Sequence, residues 1–446
     1  MKRVFAVFVF LLGAADIAAA QTEAVRLSLE DAIARGIEAS YRLEELGARQ
    51  DVARAIAAQR KAAEQPQLAA IASYTRMNHV EEFSVPNASG GFRVIYPDIT
   101  DQVRSRFDLQ WPIYTGGRLQ ALTRAPGAEA DAVGQDREAA RADLKLEITR
   151  AFLAVLTAEA SLDVVRQALE LTAAHLADVR NQLSVGLVPP SDVLTIEAQH
   201  AQQQMLSIQA ANIVETTTAE LKRLVGLDQG AVVQLLRGGS IAARASTPPA
   251  GDHSVAARAA MDDARANRPD RKSLLFRVDA AAERVKAASA GSLPVLTALG
   301  GYDLARPNLR IFPIQEKWQP SWDVGVNVRL SLFDGGRVRA ETAEASGNRR
   351  ANEARLREFD SVMEVEIRQR MADLTSATAQ IEAAETGVRA ATEARRAIAE
   401  RFGAGVATNT DVLDAQTVLL QAGLDLTRAR ANAELAAARL QRALGR

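Results

Sequence analysis

The chain has 446 residues, of which 48% are hydrophobic, and its 54 basic and 55 acidic side chains nearly cancel. A charge balance this even provides no basic patch, which excludes nucleic-acid binding as the function. The absence of cysteine excludes disulfide frameworks, thiolate metal sites and thiol nucleophiles.

The first twenty residues form a segment of their own. Two basic residues precede an apolar run from Val4 to Leu12, and three alanines precede Gln21. This order is typical of a secretory signal peptide, so we expect residues 1–20 to be removed and the mature chain to leave the cytoplasm. After Gln21 the sequence contains no run of 18 apolar residues, so no membrane-spanning helix is predicted. The mature chain is therefore either soluble or inserted in a membrane as a β-barrel.

Two short windows hold most of the aromatic residues of the mature chain. Seven lie between Tyr74 and Tyr114, and five lie between Tyr302 and Phe333. Polar and apolar residues alternate in both windows, which predicts strands, with one β-hairpin over 67–114 and one over 294–333. Strands of roughly ten residues with aromatic residues near their ends suit the wall of a membrane barrel. The alternative is a pair of solvent-exposed hairpins on a soluble body.

The sequence repeats itself at a spacing of 219 positions. The matching segments are Gly116-Gly117-Arg118 with Gly335-Gly336-Arg337, Gly186 with Gly405, Asp192-Val193-Leu194 with Asp411-Val412-Leu413, and Gly226 with Gly445. Such matches predict two copies of one plan: helix, β-hairpin, long helix, tight turn, helix. We expect the first repeat at 21–227, the second at 254–446, and a connecting band over 228–253 at mid-length of the helices.

Heptad spacing predicts the long helices. From Ile148 to Leu183 apolar residues stand seven apart, with a second set three residues later, which is the a/d seam of a coiled coil. The second copy shows a similar seam rich in alanine, although Arg370 and Arg395 interrupt it. Pro126 lacks a backbone donor and is expected to kink the first long helix, which we predict over Gly117 to Val185.

Four short motifs follow one another in the second copy: Phe333-Asp334-Gly335-Gly336-Arg337, Arg401-Phe402-Gly403-Ala404-Gly405, Asp411-Val412-Leu413-Asp414-Ala415-Gln416 and a terminal Leu-Gly. With these motifs in this order, the chain resembles the TolC family of outer-membrane channel proteins. The resemblance covers nearly the whole mature chain. It implies a mainly α fold with a small β part: long antiparallel coiled-coil helices form a trimeric α-barrel, joined to a twelve-stranded transmembrane β-barrel with four strands per subunit. Four strands cannot close a barrel, since about eight is the minimum, so at least two subunits must share one.

The resemblance also implies a function. The chain would be a passive exit duct in the outer membrane, with a large periplasmic portion, serving a tripartite efflux or type I secretion system. Its expected partners are two further copies in a homotrimer, a periplasmic adaptor, an inner-membrane pump and outer-membrane lipid. No phosphate-binding loop and no nucleophile with a matching base are recognisable, so we expect neither an enzyme nor a cofactor.

A soluble periplasmic coiled-coil adaptor or scaffold is the alternative. Such a protein also has alanine-rich helical hairpins and a signal peptide. It would need one dominant hairpin and β-rich flanking modules, whereas this sequence has two equal helical copies.

The predicted turns between helices are the first candidate sites. Glycine at Gly186 and Gly405 fits a helix end with positive φ. By resemblance, these tips close the periplasmic end and meet the adaptor, which makes Gly186, Leu187, Gly405 and Val406 candidate docking residues. Pro189-Pro190 departs from the family pattern and stiffens the first tip.

Acidic residues near the tips are the second candidate site. Asp411 and Asp414 lie three apart at the start of the last helix and share a face. Thr408 with Asp411 has the spacing of a capping box, which is a purely structural alternative for Asp411. By resemblance, these acids point into the narrowest part of the tunnel, where a ring of carboxylates favours cations. The first copy offers only Asp192, because Thr195 stands where Asp414 would.

The residues that hold the tips together in the family are replaced here. A basic residue and a tyrosine of the family correspond to Ala407 and Phe402, so we expect apolar closure at the aperture without a salt bridge. His175 and His200 lie at similar distances on either side of the first tip. No carboxylate completes a metal site with them at a recognisable spacing, and none is predicted.

Overall fold

The computed structural model describes residues 25–236 and 253–446. The expected signal peptide and most of the expected connecting band therefore lie outside the described residues. The described chain is mainly helical with a small β part, as predicted. None of its described helices contains an apolar stretch long enough to cross a membrane.

The helices include two of 67 residues and two of 35 residues. Their bounds are α1 (Leu29–Glu38), α2 (Tyr41–Ala62), α3 (Arg118–Ser184), α4 (Pro190–Leu224), α5 (His253–Asn267), α6 (Pro269–Ser289), α7 (Arg337–Gly403) and α8 (Asn409–Ala443). At 1.5 Å per residue, α3 and α7 are each about 100 Å long. Pro126 lies inside α3, which continues past it as one helix.

The strands within the described residues fall into three sheets. Their bounds are β1 (Val25–Leu27), β2 (Gln67–Arg76), β3 (Phe83–Pro86), β4 (Phe92–Tyr96), β5 (Asp101–Tyr114), β6 (Val233–Leu235), β7 (Val295–Arg306) and β8 (Gln319–Arg329). The main sheet is antiparallel with the order β2-β5-β7-β8, so pairing between β5 and β7 joins the two predicted hairpins into one sheet. The short parallel pair β1–β6 and the separate hairpin β3–β4 were not predicted.

Both long helices begin in the same way, directly after a pair of glycines. Gly116 and Gly117 have φ of 63° and 81°, and Gly335 and Gly336 have φ of 66° and 87°. Only glycine adopts this left-handed conformation freely, so the strand can turn sharply into the helix. The preceding side chain then caps the helix in each copy. The caps are Thr115, which accepts a hydrogen bond from the Leu119 N–H at 3.3 Å, and Asp334, which accepts one from the Val338 N–H at 2.9 Å.

The described residues divide into two compact units. One comprises 25–39, 147–236 and 382–431, and the other comprises 40–146, 253–381 and 432–446. In the first unit, a core cluster consists of Leu176, Val179, Val193, Ile196 and Leu413. In the second, clusters form around Met363, Ile367, Leu374, Ala437 and Leu440. The predicted seam residues Leu176 and Val179 thus lie in a buried cluster, together with residues outside the seam such as Leu413.

Candidate functional site

The two helix-to-helix turns have the same hydrogen-bonded geometry. At the end of α3, Gly186 N–H donates to Leu183 O and Leu187 N–H donates to Gln182 O, both at 2.9 Å. At the end of α7, the equivalent bonds run from Gly405 to Phe402 and from Val406 to Arg401, also at 2.9 Å. This is the Schellman motif, which satisfies the last carbonyls of a helix.

Glycine at the tips is explained by backbone conformation and not by crowding. Gly186 and Gly405 have φ of 75° and 73°, and a Cβ at either position would meet nothing within 4 Å. The next residues, Leu187 and Val406, are 74% and 63% exposed. Each tip therefore presents one exposed apolar side chain beside open space.

The start of α8 holds the two predicted aperture acids. Thr408 and Asp411 form a capping box, in which hydrogen bonds from the backbone N–H and the hydroxyl of Thr408 hold the pKa of the Asp411 carboxyl below its ordinary value. Asp414 is exposed. Both acids line a shallow pocket of about 260 Å³ whose other wall is the α7 residues Ala391, Ala394 and Ile398.

The acid of the first copy occupies a different environment. The carboxylate of Asp192 lies beside Ser191, whose hydroxyl is 3.5 Å away. Its backbone carbonyl accepts a hydrogen bond from Asn409 Nδ2 at 3.3 Å. Asp192 is thus close to the start of α8, but it does not line the pocket of Asp411 and Asp414.

Phe402 packs into the apolar cluster of the first unit and meets a buried histidine edge-on. Its ring centroid is 5.2 Å from that of His175, with the planes at 72°. The imidazole Nε2 lies 2.7 Å from Asn409 Oδ1, and one turn away Thr172 Oγ1 donates to Gln416 Oε1 at 3.0 Å. Sequence reasoning missed these contacts, although Thr172 at a seam position was a signal of polar pairing. Within the described residues no group of three or more potential metal ligands forms.

The four-stranded sheet has one apolar face, which is largely exposed. Register places Phe107, Tyr302 and Trp322 side by side across three strands. They are 50%, 48% and 71% exposed. Further exposed side chains on this face are Leu68, Leu109, Trp111, Val324 and Val326.

The opposite face of the same sheet is polar and carries an ion-pair network. Arg104 Nε donates to Asp303 Oδ2 at 2.9 Å. Arg106 binds Asp108 at 2.7 Å and Asp323 at 3.2 Å. The side chain of Asp303 is only 4% exposed, so its charge depends on these guanidinium partners.

Comparison with known proteins gives consistent matches. The family model "outer membrane efflux protein" matches residues 32–227 and 260–446. The outer membrane protein TolC of Vibrio cholerae is 24% identical over 303 residues, which is 68% of this chain and 67% of that protein. Protein CyaE of Bordetella pertussis is 27% identical over 315 residues, which is 70% of this chain and 64% of that protein. The chain thus spans about two thirds of the length of these relatives.

A solved structure has the same fold over nearly its whole length. The outer membrane protein VceC of Vibrio cholerae aligns with a TM-score of 0.77 and 21% identity, covering 94% of this chain and 96% of that chain. Long helices with tight glycine turns and an antiparallel sheet are thus the fold that this chain shares with that outer membrane protein. The chain belongs to the outer membrane efflux protein family, which confirms the predicted resemblance. It is a transport protein and not an enzyme, and the adaptor interpretation is set aside.

Proposed function

We propose that three copies of the chain share one pore, which acts as a passive exit duct of a tripartite efflux or type I secretion system. Each copy contributes β2, β5, β7 and β8 to a twelve-stranded barrel and its long helices to a periplasmic tunnel. A periplasmic adaptor opens the tips, and an inner-membrane pump supplies the energy. The single observation that carries the proposal is the four-stranded sheet with two open edges and one apolar, exposed face.

The open edges support sharing of the sheet between copies. Among the described residues, neither β2 nor β8 pairs with a second strand in this sheet. Unpaired backbone groups at such an edge cannot be satisfied by lipid. Neighbouring strands alternate in direction, so β8 of one copy and β2 of the next are antiparallel like the strands within the sheet. A barrel built by repeating this pairing of β8 with β2 has a number of strands that is a multiple of four. Three copies give twelve strands.

The two faces of the sheet support its orientation in the barrel. The aromatic and aliphatic face that includes Phe107 and Trp322 is suited to contact with the hydrocarbon of the bilayer. The network of Arg104, Arg106 and Asp303 would be costly against lipid and belongs in a water-filled lumen. A lipid-facing apolar band with a polar interior is the pattern of outer-membrane barrels.

Extraction and mass measurement test the shared pore. We expect the protein to stay in membranes after a high-salt wash, and to leave in detergent as a particle of three chains by light scattering. A matched pair of β8 variants tests the faces: Val324→Arg on the apolar face should reduce membrane-inserted trimer, and Asn327→Arg on the polar face should not. Release of a monomer by salt alone, or equal behaviour of the two variants, contradicts the proposal.

The acids at the start of α8 are proposed as the periplasmic aperture. In a trimer, Asp411 and Asp414 would place six carboxylates around one opening, with Asp192 and Phe402 near the same helix ends. Such a ring attracts cations and repels anions. Packing of Phe402 against His175 supports closure without an ion pair at these residues.

The helix tips are proposed as the adaptor-docking surface. Gly186 and Gly405 leave open space, and Leu187 and Val406 offer exposed apolar contacts beside it. Burial of these side chains by a partner's helix ends would contribute to association through the hydrophobic effect. An adaptor that failed to bind the trimer in cross-linking experiments would contradict this assignment.

A further inference from the structure

The loop that joins β7 to β8 folds back over the polar face of the four-stranded sheet, and we call it the strap (residues 307–318). Asn308 is 2% exposed, and its Nδ2 donates to the backbone carbonyl of Gln319 at 2.9 Å. Arg310 Nη1 donates to Asp323 Oδ1 at 2.9 Å. Asp323 stands four residues beyond Gln319, the first residue of β8, which is about 13 Å along the strand. The strap therefore runs back along the sheet instead of extending beyond its end.

Burial on the polar face increases toward the strap. Register places Leu299, Asp303 and Ala305 of β7 on the same face as Asp323. Leu299, the farthest of the three from the strap, is 39% exposed, whereas Asp303 and Ala305 are 3% and 4% exposed over the whole residue. The strap, together with the arginines of the ion-pair network, thus covers the part of this face that adjoins it.

The strap lies at the end of these strands that is opposite the helices. Helix α6 ends at Ser289, shortly before β7 begins at Val295, and β8 ends at Arg329, shortly before α7 begins at Arg337. Helices therefore adjoin one end of the β7–β8 pair, and the strap adjoins the other. In the proposed duct the helices are periplasmic and the polar face lines the lumen, so the strap lies inside the lumen at its outer mouth.

We propose that the straps of three copies meet near the axis of the pore and exclude bulky solutes from its outer mouth, with Arg310 as the residue that positions each strap. Small ions and water still pass between the straps. This inference rests on the proposed shared pore. It adds a constriction that discriminates by size at the end of the duct opposite the acids of α8.

The dimensions of a twelve-stranded barrel allow such a constriction. Strands about 4.8 Å apart and tilted by about 40° give a backbone radius of about 12 Å. A segment packed on the face of a sheet lies up to about 10 Å from it, so a strap on the inner face of each copy approaches the axis. The side chains of Leu309 and Phe312 are 57% and 70% exposed in one chain. They are available to contact the straps of the other two copies.

The strap is held by polar contacts that water can replace, which suits a part that must move aside for cargo. Arg310 shares Asp323 Oδ1 with Arg106 of the sheet, whose Nη1 lies 3.2 Å from that oxygen. Glu316 of the strap pairs with Arg306 at 2.7 Å, and both side chains are about half exposed. Without the Arg310 guanidinium, Asp323 would keep its partner in the sheet. Loss of Arg310 should therefore release the strap and leave the sheet intact.

The absence of native cysteine allows the meeting of the straps to be tested by cross-linking. Oxidation of detergent-solubilised trimer that carries Phe312→Cys should join two of its three chains by a disulfide, because the three straps meet near the axis. Val324→Cys on the apolar face, where the native side chain is 79% exposed, is the matched control. It should yield single chains on a denaturing gel, since this face points away from the axis.

Labelling of intact Gram-negative cells tests exclusion by size. Asn327→Cys places a thiol on the polar face of β8, beyond the part that the strap covers. The small cationic thiol reagent MTSET should label it equally in the parent and in Arg310→Gln. A sulfonated cyanine maleimide, a bulky anionic dye that does not cross the outer membrane, should label Arg310→Gln about three- to five-fold more, because loss of one partly exposed ion pair shifts an open–closed equilibrium by about that factor. Dye that reaches the periplasm is measured at Leu187→Cys and subtracted.

Two further variants distinguish positioning by Arg310 from a general effect of charge. Arg310→Lys keeps the charge and should exclude most of the dye. Lys317→Gln removes a charge from the same strap, and within the described residues the side chain of Lys317 makes no hydrogen bond or ion pair, so this variant should exclude the dye as the parent does. Dye labelling of the parent or of Lys317→Gln at the level of Arg310→Gln overturns the proposal. A trimer without the Phe312→Cys cross-link also overturns it.

The small reagent separates failure of this proposal from failure of the proposed pore. In the parent it should label Asn327→Cys and spare Val324→Cys, because one face lines water and the other faces lipid. Equal labelling of the two positions by the small reagent contradicts the shared pore. Labelling of Asn327→Cys alone, together with free entry of the dye in the parent, contradicts only the role of the strap.

Discussion

Asp411 and Asp414 share one face of α8 and line the same pocket, yet only the carboxylate of Asp411 accepts hydrogen bonds. Asp411 Oδ2 accepts hydrogen bonds from the backbone N–H and the hydroxyl of Thr408, both at 2.8 Å, while its own N–H donates to Thr408 Oγ1 at 3.2 Å. Asp414 makes no hydrogen bond or ion pair among the described contacts. The two acids therefore need different experiments, because changing Asp411 alters helix capping as well as charge.

Removal of the cap should loosen the start of α8. Thr408→Ala deletes the hydroxyl that accepts from Asp411 N–H, and we expect a loss of about 1 kcal/mol in local stability. Hydrogen exchange of the amides of residues 411–413 measures it. Asp414→Asn is the control, since that side chain takes no part in the cap. Equal hydrogen-exchange rates in Thr408→Ala and the parent would show that the capping box does not stabilise the start of α8.

Acid should weaken the same cap by a different route. The pKa of Asp411 is lowered in the folded chain by the hydrogen bonds from Thr408, so its stabilising contribution is complete above the ordinary carboxyl value of about 3.9. The contribution is lost as the pH falls below that value and through the lowered pKa. We expect faster exchange at the start of α8 only below about pH 4, and Asp411→Asn should remove this dependence. An unchanged pH dependence in Asp411→Asn would contradict this assignment.

Asp414 provides the cleaner test of the aperture. Asp414→Asn should lower the cation-to-anion permeability ratio in planar bilayers by about two-fold or more, because it removes one charge per copy from the proposed ring. The matched control is Asp425→Asn, which removes an exposed charge farther along α8. The difference should shrink at about 1 M salt, where the Debye length is about 3 Å. Identical ratios in the two variants would rule out a filter at Asp414.

Within the ion-pair network of the sheet, replacing the buried acid Asp303 should reduce the stability of the protein most. Asp303→Asn leaves Arg104 and Arg106 without their shared buried partner and should destabilise the protein by about 3 kcal/mol. Asp323→Asn is the matched control; because the side chain is 38% exposed, we expect at most about 1 kcal/mol. Thermal unfolding of detergent-solubilised protein compares the two. A control as damaging as Asp303→Asn would mean that burial does not set the strength of the network.

The exposed apolar tips should affect docking but not folding. The double variant Leu187→Ser with Val406→Ser removes contacts that touch little in the isolated chain, so its unfolding temperature should stay within about 2 °C of the parent. Cross-linking to a co-expressed periplasmic adaptor should fall several-fold. Ile208→Ser, an equally exposed position along α4, should leave cross-linking unchanged. Undiminished cross-linking in the double variant would contradict docking at the tips.

Two short-period sequence patterns, the heptad and the alternation of polar and apolar residues, predicted the long helices and the main strands well. The heptad from Ile148 onward matches a buried face, with Ile148 and Val155 at 0% and 2% exposure. Glycine at Gly186 and Gly405 predicted helix ends with positive φ, and φ is 75° and 73° there. Alternation located the strands of the main sheet, but three-residue strands such as β1 are too short for a period to show.

Contacts between distant segments could not be predicted in this way. His175 and Asn409 are 234 positions apart, and the heptad pattern does not say which helices meet at which height. The pairing of β5 with β7 likewise depends on a register between segments about 200 residues apart, as for Arg104 and Asp303. The candidate site was therefore predicted as a set of tips and acids, but the polar contacts that hold them together required the structure.

The open edges of the four-stranded sheet have a genetic consequence. In the proposed shared barrel, a subunit whose β2 edge is damaged would still offer an intact β8 edge, so it would join a growing ring and then prevent its completion. Such an allele would be dominant over the wild-type copy in the same cell, whereas an allele that destroys both edges would be recessive.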